Sequence, residues 1–286
     1  LLAMEQHSKG KFNLDQTLGS YIPDVVGASP FAALKIREIM AHQAGLTPWI
    51  PFYKRTLSNG TWKGSIYQNK QTDDFPLEVA NGMFIHKSYK DSMYAQILGS
   101  KLGPKKYVYS DLCYYFTQPI LERIIGESQA SYLRRNIYLP LGLNRILYQP
   151  LRQFADQQIV PTEDDQAFRK QLLRGHVHDP GAAMLGGVAG HAGIFSNAWS
   201  LAHIMQLFLN KGEMAGQQFF TAATYTEFTK QQYPGNRRAA GFDRPTASGG
   251  GTCDVLASQQ SFGHSGFTGT LAWADPKNKV IFIFLS

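Results

Sequence analysis

The sequence of 286 residues has only two cysteines, Cys113 and Cys253, and it contains no long hydrophobic run. The two cysteines lie far apart and show neither a metal-ligand spacing nor a C-x-x-C redox pair, so we expect structural thiols. A membrane-spanning helix needs roughly 18 to 20 consecutive apolar residues, and every apolar run here is interrupted well before that, which predicts no membrane-spanning segment. Internal repeats, heptad runs and low-complexity segments are also missing, which excludes solenoid and coiled-coil architectures.

Acidic side chains are scarcer than basic ones, with 21 Asp and Glu against 28 Lys and Arg, and the formal net charge is +7. The basic residues occur in scattered pairs, such as Lys105-Lys106, Arg134-Arg135 and Arg237-Arg238. We therefore expect no nucleic-acid partner. A basic surface equally favours anionic polymers or small carboxylate substrates through long-range attraction, and solvated faces are the simpler interpretation.

A chain that is 43% hydrophobic and 17% charged over this length can bury a large core, as one domain or two subdomains. Apolar periodicity and helix-end signals predict helices over residues 1–10, 34–42, 111–126, 129–137 and 198–211. Pro119 should kink the third of these helices, because proline removes one backbone hydrogen bond.

The remaining segments are less regular. We interpret residues 47–108 as mostly loop with one or two short helices near 76–100, and residues 150–182 as a long polar excursion. The pattern of apolar and turn residues in 261–286 predicts three strands, with a tight turn at 275–278 between the second and the third. Segment 186–196, GGVAGHAGIFS, is dense in small residues and leads into the last predicted helix.

Two short segments carry candidate chemistry. YSD at 109–111 lies at a loop-to-helix junction, which would hold a phenol beside the positive end of a helix and suit proton transfer. A plain N-cap role for Asp111 is the alternative. HSG at 264–266 lies on a predicted strand, where glycine lets the backbone approach a ligand and the next N–H can serve an oxyanion hole. A structural His264 is the alternative there.

In this order, the two segments resemble the second and third motifs of the serine β-lactamase family, which includes penicillin-binding proteins, D,D-peptidases and esterases. The family pattern is an S-x-x-K helix, a Tyr-x-Asn or Ser-x-Asn turn and a K-T-G-like strand. Segments 36–46, 138–143 and 186–212 are also similar to family segments. The resemblance implies a single β-lactamase/transpeptidase-like domain over 1–286 of the α/β (α+β) class, with an antiparallel sheet flanked by helices plus a mostly helical subdomain.

The resemblance also implies a serine hydrolase that acts through an acyl-enzyme on D-amino-acid peptides, esters or β-lactams, without a cofactor. The implied catalytic residues are Tyr109, Asp111 and His264, and the implied substrate-binding residues are Ser265, Gly266, Phe267 and His191. Tyr109 would relay a proton, and the N–H of Phe267 would form half of the oxyanion hole. A buried structural role is the alternative for His191.

Two of these positions depart from the family pattern. Asp111 stands where many relatives have Asn, and the exchange removes an amide donor. His264 stands where Lys is common, so a substrate carboxylate would meet a group that is only partly protonated at neutral pH. We therefore expect inefficient β-lactam hydrolysis.

The nucleophile is the largest departure. The opening LLAMEQHSKGKF resembles the second half of the helix that carries S-x-x-K near its start. We therefore predict that the chain lacks this motif because it is truncated upstream of Leu1. We also predict a truncation within a strand at the C-terminal end. The intact parent protein would be the enzyme. The alternative is a non-catalytic binding domain or an appended module, fused to another catalytic domain in a larger cell-wall glycan-processing protein.

The family implies a small-molecule or peptidoglycan-fragment substrate and a periplasmic or otherwise extracytoplasmic location. A zinc hydrolase is the weakest alternative, and it depends on His176, His178 and Asp179 in one short segment. Because no second ligand cluster has a recognisable spacing, we expect no metal site.

Overall fold

The C-terminal sheet of the computed structural model, which describes residues 1–286, contains the HSG motif. Its strands are β12 (Phe262–Ser265), β13 (Leu271–Asp275) and β14 (Val280–Phe284), and they pair antiparallel in the order β12-β13-β14. The Asp275 carboxylate accepts hydrogen bonds from the N–H groups of Lys277 and Asn278, which closes the last turn. The three strands and this turn confirm the prediction for residues 261–286.

Ten α-helices precede this sheet. They are α1 (Leu2–Ser8), α2 (Leu18–Tyr21), α3 (Pro23–Val26), α4 (Ile36–Met40), α5 (Tyr89–Leu98), α6 (Leu112–Ile125), α7 (Gln129–Leu133), α8 (Pro180–Met184), α9 (Ala198–Leu209) and α10 (Ala222–Thr229). All five helices predicted from periodicity are present, most of them shorter at one or both ends. Helix α6 contains Pro119 and ends at Gly126, whose φ of 75° is the left-handed conformation that favours glycine.

Helix α9 packs against β13 and β14. Its first turn is capped by Asn197, whose side chain accepts a hydrogen bond from the Ser200 N–H at 2.8 Å. Alternate residues of β14, Ile281 and Ile283, pack against the hydrophobic core. The core includes residues from α1 through to β13, so the first helix and the C-terminal sheet bury their apolar side chains in one cluster.

Residues 47–108 contain five short strands that the sequence did not indicate. They are β1 (Leu57–Ser58), β2 (Thr61–Trp62), β3 (Tyr67–Gln68), β4 (Leu77–Ala80) and β5 (Met83–Ile85), in a β1-β2 pair and a β3-β5-β4 sheet. The prediction of mostly loop was therefore wrong for this segment, although α5 confirms a short helix there. Strands of two to four residues are too short to show a period of two.

The polar segment 150–182 also has more structure than predicted. It contains the hairpin of β7 (Pro161–Asp165) and β8 (Gln171–Arg174), followed by α8. The remaining strands form two further pairs, β6 (Leu147–Tyr148) with β9 (Ile194–Phe195) and β10 (Glu213–Met214) with β11 (Gln217–Gln218). Among the helices, none combines the length and the apolar character that crossing a bilayer requires.

Candidate active site

The turn before α6 is held by Ser110, which lies between the two candidate residues Tyr109 and Asp111. Its buried hydroxyl donates to the Thr47 carbonyl at 2.6 Å and accepts from the Leu112 N–H at 3.2 Å. Ser110 thereby serves the first turn of α6, while the Asp111 side chain makes no capping hydrogen bond. The plain N-cap alternative for Asp111 is therefore not what the structure shows.

His42, which the sequence analysis did not single out, packs against the ring of Tyr109. Its ring centroid lies 4.4 Å from that of Tyr109, and its Nδ1 accepts the Ser110 N–H at 3.2 Å. Burial, together with the charge of Arg238, lowers the pKa of His42 to about 3. The imidazole is therefore neutral and serves as a rigid platform for the phenol.

Cys113 approaches the same imidazole, with its Sγ 3.5 Å from Nδ1 of His42. The thiol is buried, and burial raises its pKa far above the ordinary value. A cysteine nucleophile needs a thiolate, usually beside a cation. The pair is neutral here and provides no nucleophile, in agreement with the structural role that we expect for this thiol.

His264 on β12 has both ring nitrogens engaged. Nδ1 lies 2.8 Å from the Ser265 carbonyl, and Nε2 lies 3.0 Å from Nη1 of Arg238. A carbonyl only accepts and a guanidinium only donates, so Nδ1 carries the proton and Nε2 accepts. Burial lowers the pKa of His264 below its ordinary value, with Arg238 acting in the same direction. The ring is neutral and has no free nitrogen with which to relay a proton.

Arg238 is the cation of this site, and sequence reasoning missed it because it lies on an irregular segment outside both motifs. Its guanidinium lies 5.2 Å from the Tyr109 ring centroid and 5.8 Å from that of Tyr107. It also lies 3.4 Å from the carboxylate of Asp243. Burial would raise the pKa of Asp243, but hydrogen bonds from Arg237 and Thr252 lower it to about 2, so Asp243 stays ionised.

Tyr109, His264 and Arg238 form what we call the cationic wall. The Tyr109 and His264 ring centroids are 6.1 Å apart, so the structure brings the two sequence motifs together. Burial and the nearby Asp111 charge raise the pKa of Tyr109 to about 12, against the lowering effect of Arg238. His264 is neutral, so the cation beside the phenol is Arg238.

A second group, Asp111, Asp179 and His191, forms what we call the acidic wall. Nε2 of His191 donates to Oδ1 of Asp179 at 2.8 Å, and the same oxygen accepts the Ala182 N–H at 2.6 Å at the start of α8. The His191 ring stacks on Tyr115 at 4.6 Å, its side chain is 5% exposed, and its Nδ1 is buried without a hydrogen-bond partner. His191 is therefore a buried hydrogen-bond partner of the Asp179 carboxylate.

The acidic wall perturbs Asp111. Burial raises the pKa of Asp111, the charge of His191 lowers it, and the charge of Asp179 raises it, with a net increase over the ordinary value. For Asp179 itself, burial would raise the pKa, but the hydrogen bond and charge of His191 keep it low. Asp179 is thus ionised, and Asp111 is the carboxyl group that takes up a proton more readily.

The segment that carries Asp179 is anchored by the buried Arg169. Its guanidinium donates to the Val177 and His178 carbonyls, each at 2.6 Å, and to Asp165 at 2.7 Å. The His178 ring then lies 5.3 Å from that of Phe267. Arg169 therefore fixes the segment that joins the acidic wall to the turn after the HSG motif.

The three side chains of the zinc alternative do not converge. His176 faces Glu78 at 3.8 Å, His178 faces Glu163 at 3.6 Å, and Asp179 binds His191. The three side chains point to three different partners, and the chain contains no group of three His, Cys, Asp or Glu arranged to hold a metal ion. A structural or catalytic zinc needs at least three converging protein ligands.

The turn between β12 and β13 exposes the N–H that sequence reasoning placed in an oxyanion hole. The Gly266 N–H donates to the Thr270 carbonyl at 2.7 Å, and a Cβ at Gly266 would lie 2.2 Å from the Thr270 hydroxyl. An alanine at this position would require the Thr270 hydroxyl to rotate away. The Phe267 side chain is 93% exposed, and its N–H forms no hydrogen bond within the chain, so this donor is free for a ligand. Ser265 is exposed at the end of β12.

The prediction that the chain contains no S-x-x-K sequence was wrong, since Ser8 and Lys11 have this spacing. Ser8 is the last residue of α1, whereas the motif needs a serine at the start of a helix so that the lysine lies one turn further along. The Ser8 hydroxyl accepts the Thr221 N–H at 3.0 Å, beside a polar pocket that includes Arg37. No contact joins Ser8 to either wall, so it does not occupy the position of the family nucleophile.

A family model described as "Beta-lactamase" matches residues 1–286. A protein named "Putative D-alanyl-D-alanine carboxypeptidase" from Escherichia coli strain K12 is 31% identical over 98% of this chain and 64% of its own length. Its counterpart from Salmonella typhimurium is 31% identical over 97% of this chain and 63% of its own. The chain thus spans a little under two thirds of these curated relatives.

Solved structures show the fold. A penicillin-binding protein homolog from Caulobacter crescentus has a TM-score of 0.63 at 21% identity. The match covers 98% of this chain and 72% of the homolog's chain. A class C beta-lactamase has a TM-score of 0.63 at 14% identity, covering 99% of this chain and 72% of its own. The β-lactamase/transpeptidase-like fold predicted from the motif order is confirmed.

Proposed function

Because this chain belongs to the beta-lactamase family of serine hydrolases, we propose that its two walls line the substrate cleft of an enzyme that transfers acyl groups from D-amino-acid peptides or esters to a serine. The observation that supports this proposal best is the position of Tyr109, whose ring has the Arg238 guanidinium at 5.2 Å and the His264 ring at 6.1 Å. A phenol beside a fixed cation is suited to giving a proton to a leaving group.

The substrate we favour is a peptide with a terminal D-alanine carboxylate. Arg238 supplies the full positive charge that sequence reasoning found lacking at His264, and a guanidinium pairs well with a carboxylate. The neutral His264 would keep Arg238 oriented through its Nε2. The relatives named D-alanyl-D-alanine carboxypeptidase support the same substrate class, and such peptides are cell-wall fragments, which fits a periplasmic or otherwise extracytoplasmic site of action.

The remaining roles follow from the geometry. The free Phe267 N–H would donate to the developing oxyanion, a contact that typically contributes about 3 to 4 kcal/mol to transition-state stabilisation. The attacking serine would come from an S-x-x-K segment that residues 1–286 do not contain at the required position. We expect β-lactams to be poorer substrates than D-peptides, because Asp111 and His264 replace the usual amide and lysine.

The test joins an S-x-x-K segment from a relative to this chain and measures D-alanine release from an N-acylated D-alanyl-D-alanine peptide. We expect turnover, an acyl adduct on the added serine by intact mass, and loss of both when that serine is replaced by alanine. The chain alone should form no adduct with an activated ester or a penicillin. A stoichiometric adduct on any serine of residues 1–286, Ser8 included, would contradict this assignment.

The second candidate is a non-catalytic binding domain or an appended module of a larger glycan-processing protein. One observation favours it, namely that the only S-x-x-K spacing in the chain lies away from both walls. Binding of the same peptide by the joined protein without acyl adduct or turnover would support this candidate over the enzyme.

A further inference from the structure

Two side chains contact the ring of Tyr109, and both belong to segments that bond the same buried residue, Asn236. The His42 ring centroid lies 4.4 Å from that of Tyr109, and the Arg238 guanidinium lies 5.2 Å from it. Asn236 is 2% exposed, so its polar atoms depend on partners within the protein. The position of the phenol therefore depends on how Asn236 holds these two segments.

The side-chain amide of Asn236 makes three hydrogen bonds. Its Nδ2 donates to the Ala41 carbonyl and to Oε1 of Gln43, each at 2.9 Å, and its Oδ1 accepts the Arg238 N–H at 2.9 Å. Gln43 in turn donates from Nε2 to the Lys105 carbonyl, so its Oε1 is the acceptor. A rotated Asn236 amide would set its oxygen against two acceptors and its NH₂ group against a donor. The partners thus fix the orientation of the amide.

The donor half of the amide holds a strained residue. His42 has a φ of 54°, in the left-handed region that side chains other than glycine adopt only where the surroundings hold them. Asn236 bonds the residues on both sides of it, Ala41 and Gln43. Loss of these two bonds would let the backbone at His42 relax and carry its ring away from Tyr109.

The acceptor half of the amide holds Arg238 at its backbone. The guanidinium itself donates from Nη1 to Nε2 of His264 at 3.0 Å, while its Nε lies 3.4 Å from the Asp243 carboxylate and is buried without a hydrogen-bond partner. Because one of its donors forms no hydrogen bond, the position of the guanidinium also depends on where the backbone of Arg238 is fixed. The bond from Oδ1 of Asn236 provides that fixed point.

We propose that Asn236 is a positioning residue of the cleft, whose single amide holds both the His42 ring and the Arg238 guanidinium in contact with Tyr109. The inference rests on the proposed function, because it gives Asn236 a part in the same reaction through Tyr109 and Arg238. Asn236 is buried and acts only through these residues, so it is not a catalytic residue.

The variants of Asn236 should fold. A separate backbone bond, from the Gly241 N–H to the Met40 carbonyl at 3.0 Å, also joins the two segments and does not involve the Asn236 side chain. We therefore expect N236A to keep the two segments together and to misplace the side chains that they carry. Melting temperatures of all variants check that the fold is retained.

The first test needs no ligand and no nucleophile. Nitrogen NMR of the histidine rings, assigned with the H42Q and H264Q variants, reports the ring nitrogens that bond Ser110 and Arg238. N236A should shift the signals of both rings. The matched control is Q6A, which removes another buried amide, on α1, and should shift neither. Ring signals in N236A that equal those of the wild type would overturn the proposal.

The N236D variant separates the two halves of the amide. A carboxylate keeps an acceptor for the Arg238 N–H, but it presents an oxygen to the two acceptors on the His42 segment. N236D should therefore shift the His42 signal more than the His264 signal. The opposite order would contradict the assignment of the NH₂ group to the His42 segment.

The second test measures function in the protein joined to S-x-x-K. N236A should reduce kcat roughly 10- to 100-fold, the usual effect of a misplaced reacting group. It should also weaken binding of a D-alanyl-D-alanine peptide by up to about 10-fold, and binding of the corresponding C-terminal amide much less. Q6A should change neither quantity. Equal losses of kcat and of peptide binding in N236A and Q6A would reduce Asn236 to a purely structural role and overturn the proposal.

The two proposals fail separately. If the joined wild type shows no turnover while N236A shifts both histidine signals, the acyl-transfer function is refuted and the positioning of His42 and Arg238 by Asn236 stands. If the joined wild type turns over its substrate while N236A leaves both signals and kcat unchanged, the positioning role is refuted and the function stands.

Discussion

The histidines of the two walls differ in how completely their ring nitrogens are bonded. On the cationic wall, both nitrogens of His264 have partners, and those partners determine its tautomer. On the acidic wall, His191 has one nitrogen bound to Asp179 and the other buried without a partner. The tautomer of His264 is therefore fixed from both sides of the ring, whereas that of His191 is fixed by Asp179 alone.

The charged and titratable groups of the two walls also differ in how they respond to pH. Arg238 stays charged at every accessible pH, so the cationic wall can orient an anion and a phenol without changing state. The acidic wall has a carboxyl group whose pKa is raised by burial and an imidazole next to it. We therefore expect the contribution of Arg238 to be constant with pH and that of Asp111 to change with pH.

The largest expected effect comes from removing the phenol of the cationic wall. In the protein joined to S-x-x-K, Y109F should reduce kcat by roughly 10²- to 10⁴-fold with a smaller change in KM, because the hydroxyl acts in proton transfer. The control Y107F removes a second tyrosine hydroxyl near Arg238 and should keep kcat within a few-fold. An unchanged kcat in Y109F would remove Tyr109 from the proton-transfer role.

The next effect concerns the anchor of the acidic wall. R169M leaves Asp165 buried without its cation and releases the Val177 and His178 carbonyls, which should cost about 3 to 5 kcal/mol of unfolding free energy. R135M, which breaks the exposed pair with Glu127, should leave the unfolding free energy nearly unchanged. Chemical denaturation measures the unfolding free energy of both variants. Similar losses in R169M and R135M would show that Arg169 stabilises the fold no more than an exposed ion pair does.

A smaller effect is expected from removing the fixed charge. R238Q should weaken binding of a D-alanyl-D-alanine peptide by roughly 10- to 100-fold, the worth of one charged hydrogen bond. Binding of the corresponding C-terminal amide should change little. The pKa of His264 should rise in R238Q, because Arg238 contributes to its lowering, and NMR titration detects this. R244Q serves as the charge-matched control, and an equal loss for acid and amide would contradict carboxylate binding.

The smallest effect is the pH dependence of stability at Asp111. A carboxyl group whose pKa is raised on folding stabilises the folded state at low pH, and this contribution is lost as pH rises through the folded pKa. D111N should therefore raise the melting temperature by roughly 1 to 3 °C at neutral pH. The gain should vanish below the ordinary aspartate pKa of about 4, where both forms are neutral. A constant difference at all pH values would show that ionisation of Asp111 is not penalised.

The predicted strands of residues 261–286 and the helix after Asp111 agree with the structure because their patterns are local. Alternating apolar residues and turn residues act within a few positions, and the helix ends at a glycine that tolerates positive φ. The strands of residues 57–85 were missed for the opposite reason. Tyr67 pairs with Ile85, and such pairing is decided by the partner strand and not by the two residues themselves.

The sequence by itself determined the fold family and the meeting of Tyr109 with His264, because two motifs in a known order define both. It did not single out Arg238 or His42, and it named His191 and Asp179 without pairing them. It also could not assign the charges, since a residue type has an ordinary pKa and only burial and neighbours shift it. Only the tertiary structure made His264 neutral, Arg238 the cation and Asp111 the group that readily takes up a proton.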